Sequence, residues 1–176
     1  MTGGLILPFE GKHPKLGDGV FVAAGAEVIG DVEIGPASSV WYNCVLRGDV
    51  NPIRVGSGTN IQDGTVVHVA RRTYGTFIGD DVTVGHMALI HGCTLENGSI
   101  VGMRAIVMDG CVVETGAMIA AGALLTPGKR VPRGQLWAGS PAVFKRDVTA
   151  EESAYFAETA SHYAGLGKRH LESASD

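Results

Sequence analysis

Aromatic side chains, cysteines and runs of like charge are scarce in this sequence. Aromatic residues make up only 6% of the 176 residues, which argues against a layered globule built around large side chains. The three cysteines, Cys44, Cys93 and Cys111, are far apart, odd in number and in no CxxC pattern. They predict reduced thiols rather than a disulfide framework.

Basic clusters and long apolar segments are absent as well. The formal net charge is −4 at pH 7, and lysine and arginine form no long run, so we expect neither nucleic acid nor an anionic membrane as a partner. No apolar run approaches the ~20 residues that span a bilayer. Residues 1–5 lack the basic and apolar start of a signal peptide. We therefore expect a cytoplasmic protein, with residues 1–176 forming a single domain.

Glycine, in contrast, is abundant, and apolar residues recur every six positions. The 26 glycines are about double the average share of ~7%. We call the recurring apolar residues markers. Their spacing is interrupted by three extra residues within 47–52, by five within 70–75, and by one shortened step before Leu95. The markers are Leu16, Val22, Val28, Ile34, Val40, Leu46, Val55, Ile61, Val67, Ile78, Val84, Ile90, Leu95, Val101, Val107, Val113, Ile119, Leu125, Val131 and Trp137.

A period of six fits neither an α-helix, with 3.6 residues per turn, nor an ordinary strand, with a period of two. Six residues suit a short strand and a tight corner, and three such units close a triangular coil with the markers inside. Coils ~4.8 Å apart would pair as parallel strands, with glycine at corners where φ is positive. The alternative, an antiparallel sandwich, should not keep phase over eight units. The pattern predicts a mainly β fold, a parallel β-helix over about 12–147, with residues 47–52 and 70–75 as loops.

The last part of the chain predicts an α-helix over 149–170 that packs on the coil. Thr149 and Glu152 have the spacing of a capping box. The apolar stripe expected to face the coil consists of Tyr155, Phe156, Thr159, Tyr163 and Leu166. Gly165 and Gly167 should weaken the later part, and residues 171–176 should fray.

Three of the six histidines lie inside the repeat. His68 and His91 each follow a marker directly, and their markers are one full coil apart, so we expect the two side chains to stack on one face. His86 stands two places after Val84 and should point from a neighbouring corner. A trimer would bring His86 of a second chain to the pair. Three imidazoles with an open fourth position are typical of catalytic zinc, although histidines at repeat corners can also simply bond to neighbours.

Polar residues near these histidines are candidates for supporting the site. Asn60, Gln62 and Asp63 surround the marker before His68, and Gln62 is expected to be exposed, where its amide could hold a metal-bound water or bicarbonate. Arg47 and Asp49 could pair with each other or with a neighbour, and Arg47 could attract an anion. A salt bridge at the trimer interface explains Arg47 and Asp49 equally well.

Taken together, these motifs resemble the γ-class carbonic anhydrases and their close homologues over roughly residues 16–163. The matching segments are Arg47-Gly48-Asp49, Asn60-Ile61-Gln62-Asp63-Gly64, Val67-His68, Gly85-His86, Ile90-His91-Gly92-Cys93, Gly102-Met103, Val107-Met108-Asp109-Gly110 and Trp137-Ala138-Gly139-Ser140-Pro141. The resemblance implies a left-handed coil, a homotrimer and reversible hydration of CO2 to bicarbonate. It also implies an interfacial zinc, with iron or cobalt as alternatives, held by His68 and His91 of one chain and His86 of the next.

The resemblance assigns further roles and shows one departure. Gln62 would contact the metal-bound water, Arg47, Asp49 and Asp63 would form a network between subunits, and Tyr163 would reach toward the pocket. The best-characterised active members carry a long acidic loop with a proton-shuttling glutamate, whereas residues 70–75 contain no acid. We therefore expect a low turnover. The alternatives are a hexapeptide-repeat acyltransferase, which would use one histidine as a base, and a catalytically silent metal-binding assembly protein.

Overall fold

The computed structural model describes residues 3–173, and this part of the chain is a parallel β-solenoid of about seven turns followed by one α-helix. The twenty strands of residues 3–173 form three faces of the coil. The first face contains β1 (Leu5–Leu7), the first parts of β4 (Glu27–Ile34) and β6 (Val45–Val55), β8 (Val66–His68), β11 (Leu89–His91), β14 (Ile106–Val107) and β17 (Leu124–Leu125).

The second and third faces are built in the same way. The second contains β2 (Lys15–Leu16), the last parts of β4 and β6, β9 (Thr76–Ile78), β12 (Thr94–Leu95), β15 (Val112–Val113) and β18 (Arg130–Val131). The third contains β3 (Phe21–Val22), β5 (Ser39–Val40), β7 (Asn60–Ile61), β10 (Thr83–Val84), β13 (Ile100–Val101), β16 (Met118–Ile119), β19 (Gln135–Gly139) and the antiparallel β20 (Ala142–Asp147).

The markers form the core, as the period of six predicts. On the first face, Leu46, Val67 and Ile90 pair in register in successive coils, and each is 0% exposed. The other markers lie in the same continuous core, except Leu16 at one end of the coil, which is exposed, and Trp137 at the other end, which is partly buried against it. The markers of the core therefore point into the coil, and their two neighbours in the strand point outward.

The glycines at the corners have two different functions. Positive φ occurs three places after a marker, at Gly122 for instance, and even Met87 and Arg104 adopt it there. Glycines one place after a marker have ordinary φ but touch the next coil. A Cβ on Gly102 would lie 2.4 Å from the backbone nitrogen of Ala121. The sequence predicts glycine at corners because φ is positive there. The structure adds a second requirement for glycine, the close approach of neighbouring coils.

The first interruption is not a loop, so that prediction was wrong. Residues 47–52 belong to the continuous strand β6, which turns the corner from the first face to the second while paired with β4. The extra residues are absorbed where the register shifts between Gly30 and Val32. The second interruption, 70–75, is a loop as predicted, closed by a hydrogen bond from the backbone N–H of Ala70 to the carbonyl of Tyr74.

Both ends of the coil differ from the prediction. The first paired strand is already β1, ahead of the start expected at about residue 12, and it pairs with the first part of β4. After Trp137 the period ends as expected, but the chain then turns back as β20, antiparallel to β19. The strand β20 is not part of the six-residue repeat, so the spacing of the markers does not predict it.

The C-terminal helix α1 (Ala150–Ser173) begins with the predicted capping box. The backbone N–H of Thr149 donates to Glu152 at 3.0 Å, and the backbone N–H of Glu152 donates to Oγ1 of Thr149 at 3.2 Å. The helix extends past residue 170 to Ser173, while residues 174–176 lie outside the described part. Within residues 3–173, α1 is not long and apolar enough to cross a membrane.

The helix packs on the third face, where Tyr163 and Leu166 of the predicted stripe contact the buried cluster that contains Phe21. Its buried residues are Ala160 and Gly167, whereas Tyr155 is 65% exposed, so Tyr155 was wrongly placed in the packing stripe. The helix continues through Gly167. A Cβ on Gly167 would lie 3.3 Å from Cβ of Phe21, so the glycine lets the helix approach the coil closely.

Candidate metal centre

Two histidines meet at the corner between the first and second faces. His68 and His91 pair in register in neighbouring coils, which confirms the predicted stacking. Nδ1 of His68 lies 3.1 Å from Nε2 of His91. Both side chains are partly buried. The two rings thus present nitrogen atoms to the same small space at the surface of the coil.

Each ring of this pair also contacts its own carboxylate. Oδ1 of Asp49 lies 3.0 Å from Nε2 of His68, and Oδ1 of Asp109 lies 2.7 Å from Nδ1 of His91. Arg47 forms an ion pair with the second oxygen of Asp49. We call these five residues the paired-histidine corner.

Asp109 is the member that the sequence analysis did not single out as a site residue. It stands two places after the marker Val107, which pairs with Ile90, the marker directly before His91. The sequence therefore did contain a signal for Asp109, since this aspartate follows a marker closely and lies one coil beyond the candidate ligand His91. Carboxylates in this position hold the ring of a ligating histidine in one orientation.

The charge state of Asp49 follows from its neighbours. Burial works against ionisation of this carboxyl, but hydrogen bonds from His68 and Arg47 outweigh that effect and hold the pKa of Asp49 below its usual value. Asp49 is thus an anion at neutral pH and can accept a hydrogen bond from Nε2 of His68.

The third histidine lies at another corner of the coil. His86 follows the third face and precedes the first, and its Nδ1 lies 2.8 Å from Oδ2 of Asp63. Val84 pairs with Ile61, so His86 and Asp63 hold the same position in neighbouring coils. We call His86, Asp63, Gln62, Asn60 and Tyr163 the single-histidine corner. Within residues 3–173 no group of three histidine, cysteine or acidic side chains is placed to hold a metal ion.

Gln62 is buried, contrary to the expected exposure. It is only 6% exposed, because it points outward on the face that carries α1. Its Nε2 donates to Oδ1 of Asn60 at 3.0 Å, and Nδ2 of Asn60 donates to Oγ1 of Thr83 at 2.9 Å. This ladder of hydrogen bonds fixes the orientation of the Gln62 amide.

Tyr163 brings the helix to this corner. Its ring centre lies 5.4 Å from that of Trp41, in an edge-to-face arrangement. Trp41 directly follows Val40, which pairs with Ile61, so Trp41 stands beside Gln62 in the next coil. Burial, and after it the negative charge of Asp63, raises the pKa of the Tyr163 hydroxyl. Whether Tyr163 reaches the pocket between subunits stays a prediction.

The donors of the paired-histidine corner fit a divalent metal such as zinc. Two nitrogens that each lie ~2.0–2.1 Å from a tetrahedral zinc are about 3.3 Å apart, close to the spacing of the His68 and His91 nitrogens. The carboxylate behind His91 is the usual support for such a ligand. Cys93 is not part of this donor set, because it is fully buried and burial raises the pKa of its thiol. The cysteines are free, as predicted.

The three faces differ in what they present outward. The second face carries ion pairs such as Lys15 with Glu33, and the third face is covered by α1. The first face, between the two corners, carries an uncovered apolar ladder. Its outward residues, paired in register through successive coils, are Val45, Val66, Leu89, Ile106 and Leu124.

Comparison with known proteins supports the resemblance. A family model described as "Bacterial transferase hexapeptide (six repeats)" matches residues 13–48. "Gamma carbonic anhydrase 2, mitochondrial" of Arabidopsis thaliana is 53% identical over 90% of this chain. The chain spans 59% to 64% of the length of three such Arabidopsis proteins.

Two further comparisons cover nearly whole proteins. The crystal structure of a hexapeptide transferase family protein from Anaplasma phagocytophilum is 50% identical, with a TM-score of 0.89, and the match covers 93% of this chain and 96% of that one. The "Probable carbonic anhydrase" of Methanocaldococcus jannaschii is 52% identical over 85% of this chain and 93% of its own. On these matches, the chain belongs to the γ-carbonic anhydrase family of hexapeptide-repeat proteins.

Proposed function

We propose that this protein is a metal-dependent carbonic anhydrase that interconverts CO2 and bicarbonate and works as a homotrimer. The names of its relatives support a carbonic anhydrase-like enzyme. The proposal goes further in assigning three histidines to each site and in placing every site between two chains. The free thiols favour a reducing compartment such as the cytoplasm.

The observation that carries the proposal is the position of the uncovered first face. Its apolar ladder runs between the paired-histidine corner and the single-histidine corner. Uncovered apolar surface flanked by polar groups is typical of a protein interface. When three chains close a ring through this face, the paired-histidine corner of one chain meets the single-histidine corner of the next.

In this assembly, His91 and His68 of one chain would hold the metal together with His86 of the neighbouring chain. Zinc is the expected ion, with iron or cobalt as alternatives. A divalent metal bound by three imidazoles lowers the pKa of a water molecule in its open position and so supplies a nucleophile near pH 7. Asp109 orients the ring of His91 by accepting from its Nδ1.

Polar residues of the chain position the substrates. Asn60 fixes the amide of Gln62, and this leaves the Gln62 carbonyl oxygen as an acceptor for the reacting water. Arg47 and Asp49 are already paired within one chain, and in the trimer they lie where Asp63 of the next chain can join them. That network would keep the two corners in register.

Stopped-flow CO2 hydration, on protein purified anaerobically, tests the proposal when bound metal is quantified on the same sample. We expect a rate that rises with metal content and is lost on chelation, at a low turnover because residues 70–75 carry no acid. Sedimentation should give a trimer. Full metal occupancy without hydration would reject the enzyme and favour a binding or assembly function.

His86→Ala tests the ligand assignment separately. This variant should lose the metal from every site, because each site requires one His86. His13→Ala, which removes an exposed histidine in the first coil, is the matched control and should keep its metal. One metal per chain in the His86 variant would contradict the assignment.

An acyltransferase is the second candidate, since the Anaplasma phagocytophilum relative is named a hexapeptide transferase family protein. The two stacked histidines, each beside a carboxylate, argue against it, because an acyltransferase of this kind would use a single histidine as a base. Thiol release from acetyl-CoA in the presence of small amines would favour the acyltransferase.

A further inference from the structure

The paired-histidine corner lacks a group that can carry a proton away. Hydration of CO2 releases one proton per turnover, and its removal requires a group that exchanges protons near pH 7. The loop 70–75 lies against this corner, because a Cβ on Gly92 would lie 3.2 Å from Cβ of Tyr74. Its charged residues are Arg71 and Arg72, and arginine does not release its proton at neutral pH.

The histidines outside the metal site are the remaining groups of suitable type. His170 holds the helix on the coil, since its Nδ1 lies 3.2 Å from the hydroxyl of Tyr42 and its ring lies 5.2 Å from those of Phe21 and Trp41. His13 is exposed in the first coil, before β2, and the metal site starts in later coils. His162 is the third.

His162 lies next to the single-histidine corner. It is exposed on α1, and its ring centre is 5.8 Å from that of Tyr163, with the two planes at 88°. Both residues line a surface cavity of about 370 Å³ together with Tyr155, Glu158 and Thr159. Tyr163 packs on Trp41, which stands beside Gln62. Tyr163 therefore contacts both this cavity and the coil residues of the single-histidine corner.

We propose that His162 is the proton-transfer residue of this enzyme, at the surface cavity on the C-terminal helix. The unprotonated ring nitrogen of His162 accepts the proton that hydration releases, through water in the cavity. The imidazolium then gives this proton to a buffer base, and the neutral ring is restored. The inference rests on the proposed carbonic anhydrase activity.

The charged and titratable groups that face this cavity are few. Glu158 lines it from one helical turn before His162, and Tyr155 and Tyr163 line it from the same helix. From the coil, Asp63 is close enough to Tyr163 to act on its hydroxyl, and Asp63 itself is paired with His86. Glu158 and Asp63 thus place acidic side chains beside this cavity.

His162→Gln in the metal-loaded protein tests this proposal. In dilute buffer, kcat for hydration should fall by about a hundredfold, the lower end of what a positioned proton-transfer group contributes. Since CO2 and bicarbonate interconvert before the proton leaves, kcat/KM and the metal content should stay at the level of the unmodified protein. Added imidazole should restore kcat. His13→Gln is the matched control and should change neither parameter.

The outcomes separate this inference from the proposed function. An unchanged kcat for His162→Gln in dilute buffer would overturn the inference and leave the carbonic anhydrase intact. Equal loss of kcat and kcat/KM that imidazole does not restore would indicate a structural effect, and would also overturn it. If the unmodified protein holds its metal but does not hydrate CO2, the proposed function fails first and the inference fails with it.

Discussion

Replacing Asp109 with asparagine should weaken metal binding without unfolding the coil. Oδ1 of Asp109 lies 2.7 Å from Nδ1 of His91, so the carboxylate accepts a charge-assisted hydrogen bond from the ring. Asparagine has the same shape and keeps an acceptor oxygen, but it loses the negative charge that makes the imidazole a better donor to a metal. The change therefore isolates the electrostatic part of the contact.

The size of the effect follows from the environment of Asp109. Partners of this kind typically account for 10- to 100-fold in metal affinity. The Asp109 side chain is 31% exposed, so water screens part of its charge. We therefore expect the lower end of the range, about tenfold, which corresponds to ~1.4 kcal/mol at 25 °C. Asp109→Ala, which also removes the acceptor, should bind metal more weakly still.

Competition for zinc against a chromophoric chelator measures this affinity on the apo protein. Asp81→Asn is the matched control. Asp81 is also an exposed corner aspartate, and its φ of +54° is one that asparagine tolerates. Sedimentation of each variant verifies that assembly is unchanged. If both Asp109 variants bind zinc as tightly as Asp81→Asn does, Asp109 does not support His91 and the reasoning is refuted.

Three further predictions concern assembly and stability. Leu89→Glu places a charge on the uncovered apolar ladder and should give monomers without metal in sedimentation, whereas Val112→Glu, at the same repeat position on the second face, should leave the trimer intact. Gly102→Ala forces a Cβ against the backbone of the next coil and should lower the free energy of unfolding, measured in urea, by about 1–3 kcal/mol. Gly165 has open space around it, so Gly165→Ala should raise the free energy of unfolding by about 1 kcal/mol. Thr149→Ala removes the cap of α1 and should cost about 1 kcal/mol in the same assay; a cost near zero would mean that the helix end is held by other contacts.

The period of six predicted the coil and part of the site because side-chain direction follows from position in the repeat. Knowing that Val67 and Ile90 are markers one coil apart is sufficient to stack His68 on His91. The same argument places His86 at a different corner. The spacing of the markers does not predict whether the coil is left-handed or right-handed, because the hand depends on backbone geometry. Only the resemblance to a known family suggested a left-handed coil.

Other features depend on contacts that spacing does not encode. The extra residues in 47–52 could form a loop or a bulged strand, since both have the same number of residues, and only the hydrogen bonds to β4 distinguish them. Gln62 occupies an outward position, as predicted, but α1 packs on that face, so outward does not mean exposed. The position of Gly167 on α1, where a side chain would meet Phe21, depends in the same way on how the helix docks.

The separation of His86 from His68 and His91 has a consequence for how the protein behaves on dilution. In the proposed trimer each metal site takes donors from two chains, so metal binding and assembly are linked by mass action. Dilution below the dissociation constant of the trimer should release metal, and added metal should shift free chains back into trimers. Activity per chain should then rise with protein concentration, and the amount of protein that a cell makes would itself set the fraction of working sites.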